Sequence, residues 1–223
     1  MQVSDGSNTD SADLVVTLVN VTELLTAITG PSDISFEENA RTRVGAFTAS
    51  SEEDRDGVEW VIGGTDAAHF SIDSPAGALR FSIAPVAPSL FVQPPDFEDP
   101  ADAGSDNVYE ITLQAQVGTT STPSVSVTVT VTDVDEAGTL TLSTTRPRLG
   151  EELTATLTDP DGVTGGTATW QWERSLRPND WEVIAGATAS AYTPTAADTG
   201  KFLRVTTTYT DGHGSGNTAS TMT

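Results

Sequence analysis

The sequence predicts an all-β protein made of tandem Greek-key β-sandwiches arranged end to end. Short runs of alternating apolar and polar residues recur along it, and in residues 125–131, the clearest run, every second residue is valine. Glycine, proline and aspartate separate the runs at the short intervals typical of sandwiches. No long amphipathic helix pattern is present, and we expect a helical turn only near residues 195–199, because Pro194 suits a helix start.

The runs fall into two groups separated by the acidic linker Asp133-Val134-Asp135-Glu136. Residues 24–136 form the first predicted sandwich, with runs at 58–62, 78–83, 108–117 and 125–131. Residues 137–223 form a second, smaller one, with runs at 140–142, 153–157, 168–172, 181–184 and 202–209. The chain is long enough for each sandwich to bury its own core.

Residues 1–23 repeat, in shorter form, the order seen before the acidic linker: a turn glycine, a β run at 14–19 and a polar linker. We therefore expect the terminal strand and linker of a preceding repeat, or an N-terminal extension, so that the chain is a fragment of a longer protein. A strand without its own domain could instead pair with another molecule, which would give a strand-exchange assembly or filament.

The composition excludes several functions. A net charge of -22 repels phosphate backbones and anionic lipid, so we expect no nucleic-acid partner. The absence of cysteine excludes disulfides, thiolate metal sites and cysteine nucleophiles. No apolar run is long enough to span a membrane, and we expect no membrane insertion. The acidity itself indicates either a self-repelling soluble surface or the binding of divalent cations.

A series of short motifs runs through residues 24–136 in a fixed order. They are Glu37-Glu38-Asn39, Glu52-x-Asp54-x-Asp56, residues 64–73, Gly77-Ala78-Leu79, Asp96-Phe97-Glu98, residues 106–110 and Asp133-Val134-Asp135-Glu136. In this order the segment resembles a bacterial cadherin-type repeat. The resemblance implies calcium at the junctions between consecutive repeats, with Glu38, Asp96, Glu98, Asp135 and Glu136 as the earlier domain's ligands and Asp133 beside them.

Residues 137–223 carry a different set of motifs, among them Asp159-Pro160-Asp161-Gly162, Trp170-Gln171-Trp172, Ala197-Asp198-Thr199-Gly200 and Tyr209-Thr210-Asp211-Gly212. They are similar to the immunoglobulin-like repeats of large bacterial cell-surface proteins. Asp159, Asp161 and Asp211 match the ligands that a following domain gives to a cadherin junction. Calcium takes six to eight oxygens, which loops at the ends of two abutting sandwiches can supply. The alternative is that these acids only form a turn and a solvated linker.

The resemblance implies a second, weaker calcium site at the first junction, which lies between residues 1–23 and residues 24–136. Glu52 and Asp54 match the paired acids of a following domain, but Asn20 and Thr22 replace acids in the linker. Val117, where a further aspartate is expected, has no side-chain oxygen.

We expect no enzymatic activity, because only His69 and His213 are present and neither lies in a nucleophile motif. The main alternative function is carbohydrate binding, since Trp170, Trp172 and Trp181 lie close together in sequence. Exposed coplanar rings would favour sugar, and buried rings would exclude it.

These patterns together predict a calcium-binding structural and adhesive segment of a large extracellular, cell-surface repeat protein. Its expected partners are neighbouring repeats, and also a second copy of itself, another surface protein or a glycan.

Overall fold

The structure, a computed structural model, describes residues 2–4, 9–11, 25–50, 57–74, 76–81, 94–166 and 168–223. The predicted strand at 14–19 and the acids Glu52 and Asp54 lie outside these ranges. The described part confirms the all-β prediction, because its helical content consists of two 3₁₀ turns, Ala67–His69 and Ala196–Asp198. The second turn lies where Pro194 predicted one. No helix among the described residues is long and apolar enough to cross a membrane.

The first part of the chain contains twelve described strands. They are β1 (Gln2–Ser4), β2 (Thr9–Ser11), β3 (Ala27–Thr29), β4 (Asp33–Glu37), β5 (Gly45–Ala46), β6 (Thr48–Ser50), β7 (Glu59–Gly63), β8 (Phe70–Asp73), β9 (Ala78–Phe81), β10 (Val108–Val117), β11 (Thr120–Ser121) and β12 (Val125–Thr132). Strands β1 and β2 pair with each other as a short antiparallel hairpin.

Strands β3–β12 form the first sandwich. One layer has the order β11-β10-β12-β4, with β7 also paired to β10, and the other contains β5-β9-β8 and the pair β3-β6. The alternation in β12 has the predicted effect, because Val127, Val129 and Val131 are buried while the threonines between them face outwards or lie half-buried. Phe47, Leu79 and the other core residues of this sandwich pack against them.

The second sandwich follows the linker. Its strands are β13 (Thr139–Leu142), β14 (Leu153–Thr158), β15 (Thr169–Ser175), β16 (Glu182–Val183), β17 (Ala191–Tyr192), β18 (Phe202–Thr210) and β19 (Ser215–Met222). They form one sheet in the order β13-β14-β17 and another in the order β16-β15-β18-β19. The core between these sheets contains Leu153, Trp172, Leu203 and Val205, each at most 1% exposed.

The strand pairing brings acidic loops to the linker. Strands β4 and β12 are parallel, with Glu37 opposite Thr132, so the residues that follow them, Glu38 and Asp133, emerge at the same end of the sheet. In the second sandwich, Asp211 follows β18 and pairs with Val163 in an isolated bridge, beside the turn that contains Asp161. Both sandwiches therefore direct carboxylates towards residues 133–138.

Candidate metal centre

The candidate site, here called the joint, comprises residues 133–138 and the acidic loops around them. Residues 133–138 have no regular secondary structure. Four segments contribute acids from a distance in sequence: the turn after β4, the loop before β10, and the turns after β14 and β18 of the second sandwich. Because these acids come from segments far apart in sequence, the joint depends on the tertiary fold.

Nine acids were predicted as calcium ligands at the joint, and seven of them come together in three groups. In each group the ligand oxygens lie within 4.8 Å of one another. The groups are Glu38 with Glu98 and Asp133, then Glu98 with Glu136 and Asp161, and finally Asp135 with Asp161 and Asp211. Because Glu98 and Asp161 each belong to two groups, the three groups form a continuous row across the joint.

Glu38 fixes the first-sandwich side of the joint. Its side chain is only 2% exposed. Oε1 accepts a hydrogen bond of 2.8 Å from the backbone N–H of Val134, and Oε2 accepts one of 2.9 Å from that of Phe97. A single carboxylate thus connects the linker to the loop that carries Glu98. The two bonds also satisfy the backbone N–H groups of Val134 and Phe97, which would otherwise need other acceptors.

Asp161 makes the connection to the second sandwich. The backbone N–H of Glu136 donates to Asp161 Oδ2 at 2.8 Å, and the N–H of Gly212 donates to the Asp161 carbonyl at 3.0 Å. Asp211, 4% exposed, accepts bonds at Oδ1 from the N–H groups of His213 and Gly214. The backbone therefore holds both acids in place at the end of the second sandwich.

The two remaining predicted acids, Asp96 and Asp159, lie outside the three groups. Asp96 Oδ1 accepts from the N–H of Glu98 at 3.1 Å, and so orders the loop. Asp159 Oδ1 accepts from the N–H of Asp161 at 3.0 Å, and Oδ2 accepts from the Tyr209 hydroxyl at 2.5 Å. In this structure both acids support their neighbours through hydrogen bonds.

Three buried oxygens of the joint accept no hydrogen bond: Asp133 Oδ1, Glu136 Oε2 and Asp161 Oδ1. A buried carboxylate oxygen without a donor is costly, and most such atoms in folded proteins are paired. All three belong to acids of the carboxylate row, in which acids from both sides meet. Oxygens of this kind, close together and without donors, are the ligands that a hard divalent cation prefers.

The crowding of carboxylates changes their pKa values. Desolvation by the surrounding loops and the nearby Glu38 raise the pKa of Glu98 from 4.5 to about 7, although the residue as a whole is exposed. Burial and the nearby Asp161 raise the pKa of Asp133, and the nearby His213 opposes that shift. Burial and Glu38 likewise raise the pKa of Glu136. The row therefore resists full ionisation unless a positive charge lies within it.

In chelator, we expect the chain to become more stable as the pH falls from 8 to 5. The folded-state pKa of Glu98 is about 7 and its ordinary value is 4.5, so between these values the folded chain binds more protons than the unfolded one. This stabilisation is present at the acid end of the window and is lost as the pH rises through about 7. Melting temperatures measured across the window would check it, and Glu98→Gln should flatten the profile. A melting temperature that rises with pH in the unmodified chain would contradict the prediction.

The linker passes very close to the second sandwich at Gly138. A Cβ at this position would overlap the Tyr209 hydroxyl and the Asp159 carboxylate. Burial and Asp159 raise the pKa of Tyr209 to about 12, so its hydroxyl remains a donor at neutral pH. The absence of a side chain at Gly138 is thus what allows the linker to lie against the Tyr209–Asp159 pair.

Sequence reasoning missed three polar residues of the joint. Asn39 donates its side-chain amide to Glu136 Oε1, and Asn217 donates its amide to Asp211 Oδ2. His213, considered from sequence only as a candidate catalytic histidine, is close enough to influence Asp133. Two of them were marked by position, because Asn39 follows Glu38 and His213 is two residues from Asp211. No sequence signal marked Asn217.

The tryptophans do not form an exposed coplanar pair. Trp172 is fully buried, and Trp170 packs half-buried against the same core. Trp181 is half-buried, and the guanidinium carbon of Arg204 lies 4.4 Å from the centre of its ring. These positions favour a structural role for the three aromatic rings and argue against a sugar-stacking platform.

No protein-family model matches the chain, and no curated protein matches it. The solved structures that align with the chain include cadherin repeats. Human mucin-like protocadherin EC1-2 is 13% identical, with 88% of this chain and 94% of that chain covered and a TM-score of 0.40. Protocadherin gamma B2 extracellular cadherin domains 3-6 are 11% identical (88% and 46% covered, TM-score 0.43). Mouse cadherin-23 EC22-24 is 18% identical (90% and 63% covered, TM-score 0.39). The chain spans less than two thirds of the latter two structures.

Proposed function

We propose that this chain is a calcium-binding structural segment of an extracellular repeat protein, in which calcium stiffens the joint between residues 24–136 and residues 137–223. The observation that carries the proposal is the continuous row of carboxylates from both sandwiches, with three buried oxygens that have no donor. A solvated acidic linker would not bury such oxygens, because water would satisfy them.

The residues that would hold calcium are the seven acids of the row. Glu38, Glu98, Asp133 and Glu136 come from the first sandwich and the linker, and Asp135, Asp161 and Asp211 complete the row towards the second sandwich. Bound calcium would supply positive charge that offsets their mutual repulsion. Asp96 and Asp159 support this set through the backbone hydrogen bonds of their loops.

The donor set favours calcium over other divalent cations. All the ligand atoms are oxygens, and no cysteine is present in the chain. Calcium accepts six to eight oxygens in flexible geometry, which suits carboxylates that come from several loops. Magnesium requires near-ideal octahedral geometry and retains several waters, so it fits a crowded row less well.

The mechanical consequence follows from the position of the row. Hydrogen bonds from Val134 to Glu38 and from Glu136 to Asp161 already connect the linker to both sides. Calcium held by acids of both sandwiches would connect the two sides more strongly and would restrict bending of the chain at the joint. A stiff chain of repeats suits an adhesive stalk at the cell surface, with neighbouring repeats as the immediate partners. We also propose that Glu52 and Asp54 contribute to a second, weaker calcium site.

Thermal unfolding and X-ray scattering of the unmodified chain would test the proposal. We expect calcium to raise the melting temperature relative to chelator and to narrow the distribution of shapes towards an extended form. Magnesium at the same concentration serves as the control for ionic strength and should have a much smaller effect. If neither melting nor scattering distinguishes calcium from chelator, the proposal is wrong.

A further inference from the structure

Asn39 lies where three segments of the joint meet. It follows Glu38 in the turn after β4, and its backbone has a left-handed conformation with a φ of 57°. Its N–H donates to the Pro95 carbonyl at 3.0 Å, and its side-chain amide donates to Glu136 Oε1. Through Asn39, the turn after β4 therefore contacts both the loop before β10 and the linker.

The contact with Glu136 has a defined direction. An ionised carboxylate only accepts hydrogen bonds, so the amide nitrogen of Asn39 must face it. With Oε1 held in this way, the other oxygen of Glu136, Oε2, is buried and accepts no hydrogen bond. Glu136 shares a carboxylate group with Glu98 and Asp161. The amide thus occupies one oxygen of the carboxylate and leaves the other for the row.

A glutamate without such a contact would lose this orientation. Its side chain has several rotatable bonds, and holding it in one rotamer costs conformational entropy. Groups that hold a metal ligand in place contribute to affinity without touching the ion, and their loss typically weakens binding about 10- to 100-fold.

We propose that Asn39 is a positioning residue of the metal centre, whose amide holds Glu136 so that the second oxygen of that carboxylate remains directed to the ion. The inference rests on the proposed function. Asn39 would then influence calcium affinity although it is uncharged and does not belong to the carboxylate row.

The test uses Asn39→Gly in the full chain. Glycine adopts positive φ without strain, so this variant keeps the turn and removes only the amide. Ser105→Gly is the matched control, because Ser105 is exposed and also has a positive φ, of 52°. We expect calorimetric titration with calcium to show affinity at least about ten-fold weaker for Asn39→Gly than for the control. Melting temperatures in chelator should be the same for the two variants.

A second measurement separates positioning from a general structural role. In a Glu136→Ala background, Asn39→Gly should cause no further loss of calcium affinity, because the residue it acts through is gone. An equal loss in that background, or a lower melting temperature of Asn39→Gly in chelator, would overturn the inference. If the unmodified chain binds calcium and Asn39→Gly binds it equally well, the inference alone fails. If the unmodified chain binds no calcium, the proposed function fails with it.

Discussion

Asp161→Asn should abolish most of the calcium-induced stabilisation of this chain. Asp161 belongs to two of the three carboxylate groups, so the substitution removes a charged ligand from both. At a free calcium concentration a hundred-fold above the dissociation constant, binding contributes about 2.7 kcal/mol to the free energy of unfolding. We expect the variant to retain only a small part of this contribution at the same calcium concentration.

The same substitution should not destabilise the chain in chelator. Asp161 is one of the charges that raise the pKa of Asp133, and a neutral amide removes that repulsion. The asparagine carbonyl oxygen can still accept the bond from the N–H of Glu136, so the backbone contact survives. The metal-free variant should therefore melt at the same temperature as the unmodified chain or slightly above it. A general loss of stability would lower the melting temperature in chelator as well, so it cannot produce this result.

Asp180→Asn is the matched control for charge. Asp180 is exposed and follows β15 at the end where Ser175 pairs with Phe202, whereas the joint lies beyond the opposite end. Melting curves of the two variants, in calcium and in chelator, provide the comparison. A calcium response of Asp161→Asn as large as that of Asp180→Asn would contradict the assignment of Asp161.

The joint illustrates which parts of a site can be predicted from sequence. Paired acids in turns and an acidic linker are local signals, but Glu38, Glu98 and Asp211 were selected by the resemblance to a cadherin-type repeat. Orientation is not a local property. Asp159 and Asp161 have the same side chain two residues apart, yet Asp159 contacts Tyr209 and Asp161 contacts the linker. Which of them faces the row depends on β18, some fifty residues away in sequence.

The fold shows the same division between local and tertiary information. Runs such as Val108–Val117 were predicted with their observed bounds, because their alternation appears in the sequence itself. Strand β19 (Ser215–Met222) was missed, since it is mostly polar and has no apolar alternation. It is a strand because β18 offers it a partner edge, with Thr206 opposite Ser220. Strand β4 was missed for a different reason: Ile34 and Phe36 alternate with polar residues, but the pattern covers only five residues.

Trp172→Ala should cost the second sandwich about 3–5 kcal/mol in free energy of unfolding, the usual range for deleting a buried tryptophan. Trp172 is fully buried at the centre of its core, and its ring lies 5.6 Å from that of Tyr192. Its Nε1–H donates to the Ala189 carbonyl at 2.9 Å, so the substitution also leaves this acceptor unpaired. Folded domains are stable by only about 5–15 kcal/mol, and much of that margin would disappear.

Trp181→Ala provides the comparison within the same sandwich. Trp181 is half-buried and contacts the guanidinium of Arg204, a contact that contributes about 0.5–1 kcal/mol at an exposed site. Denaturant unfolding of both variants should therefore show a much larger loss for Trp172→Ala. Equal losses would contradict the assignment of Trp172 to the core. The same pair tests the carbohydrate alternative, because Arg204 lies over the ring of the half-buried Trp181, whereas Trp172 is fully buried in the folded chain. Glycan binding that Trp172→Phe abolishes without loss of stability would restore that alternative.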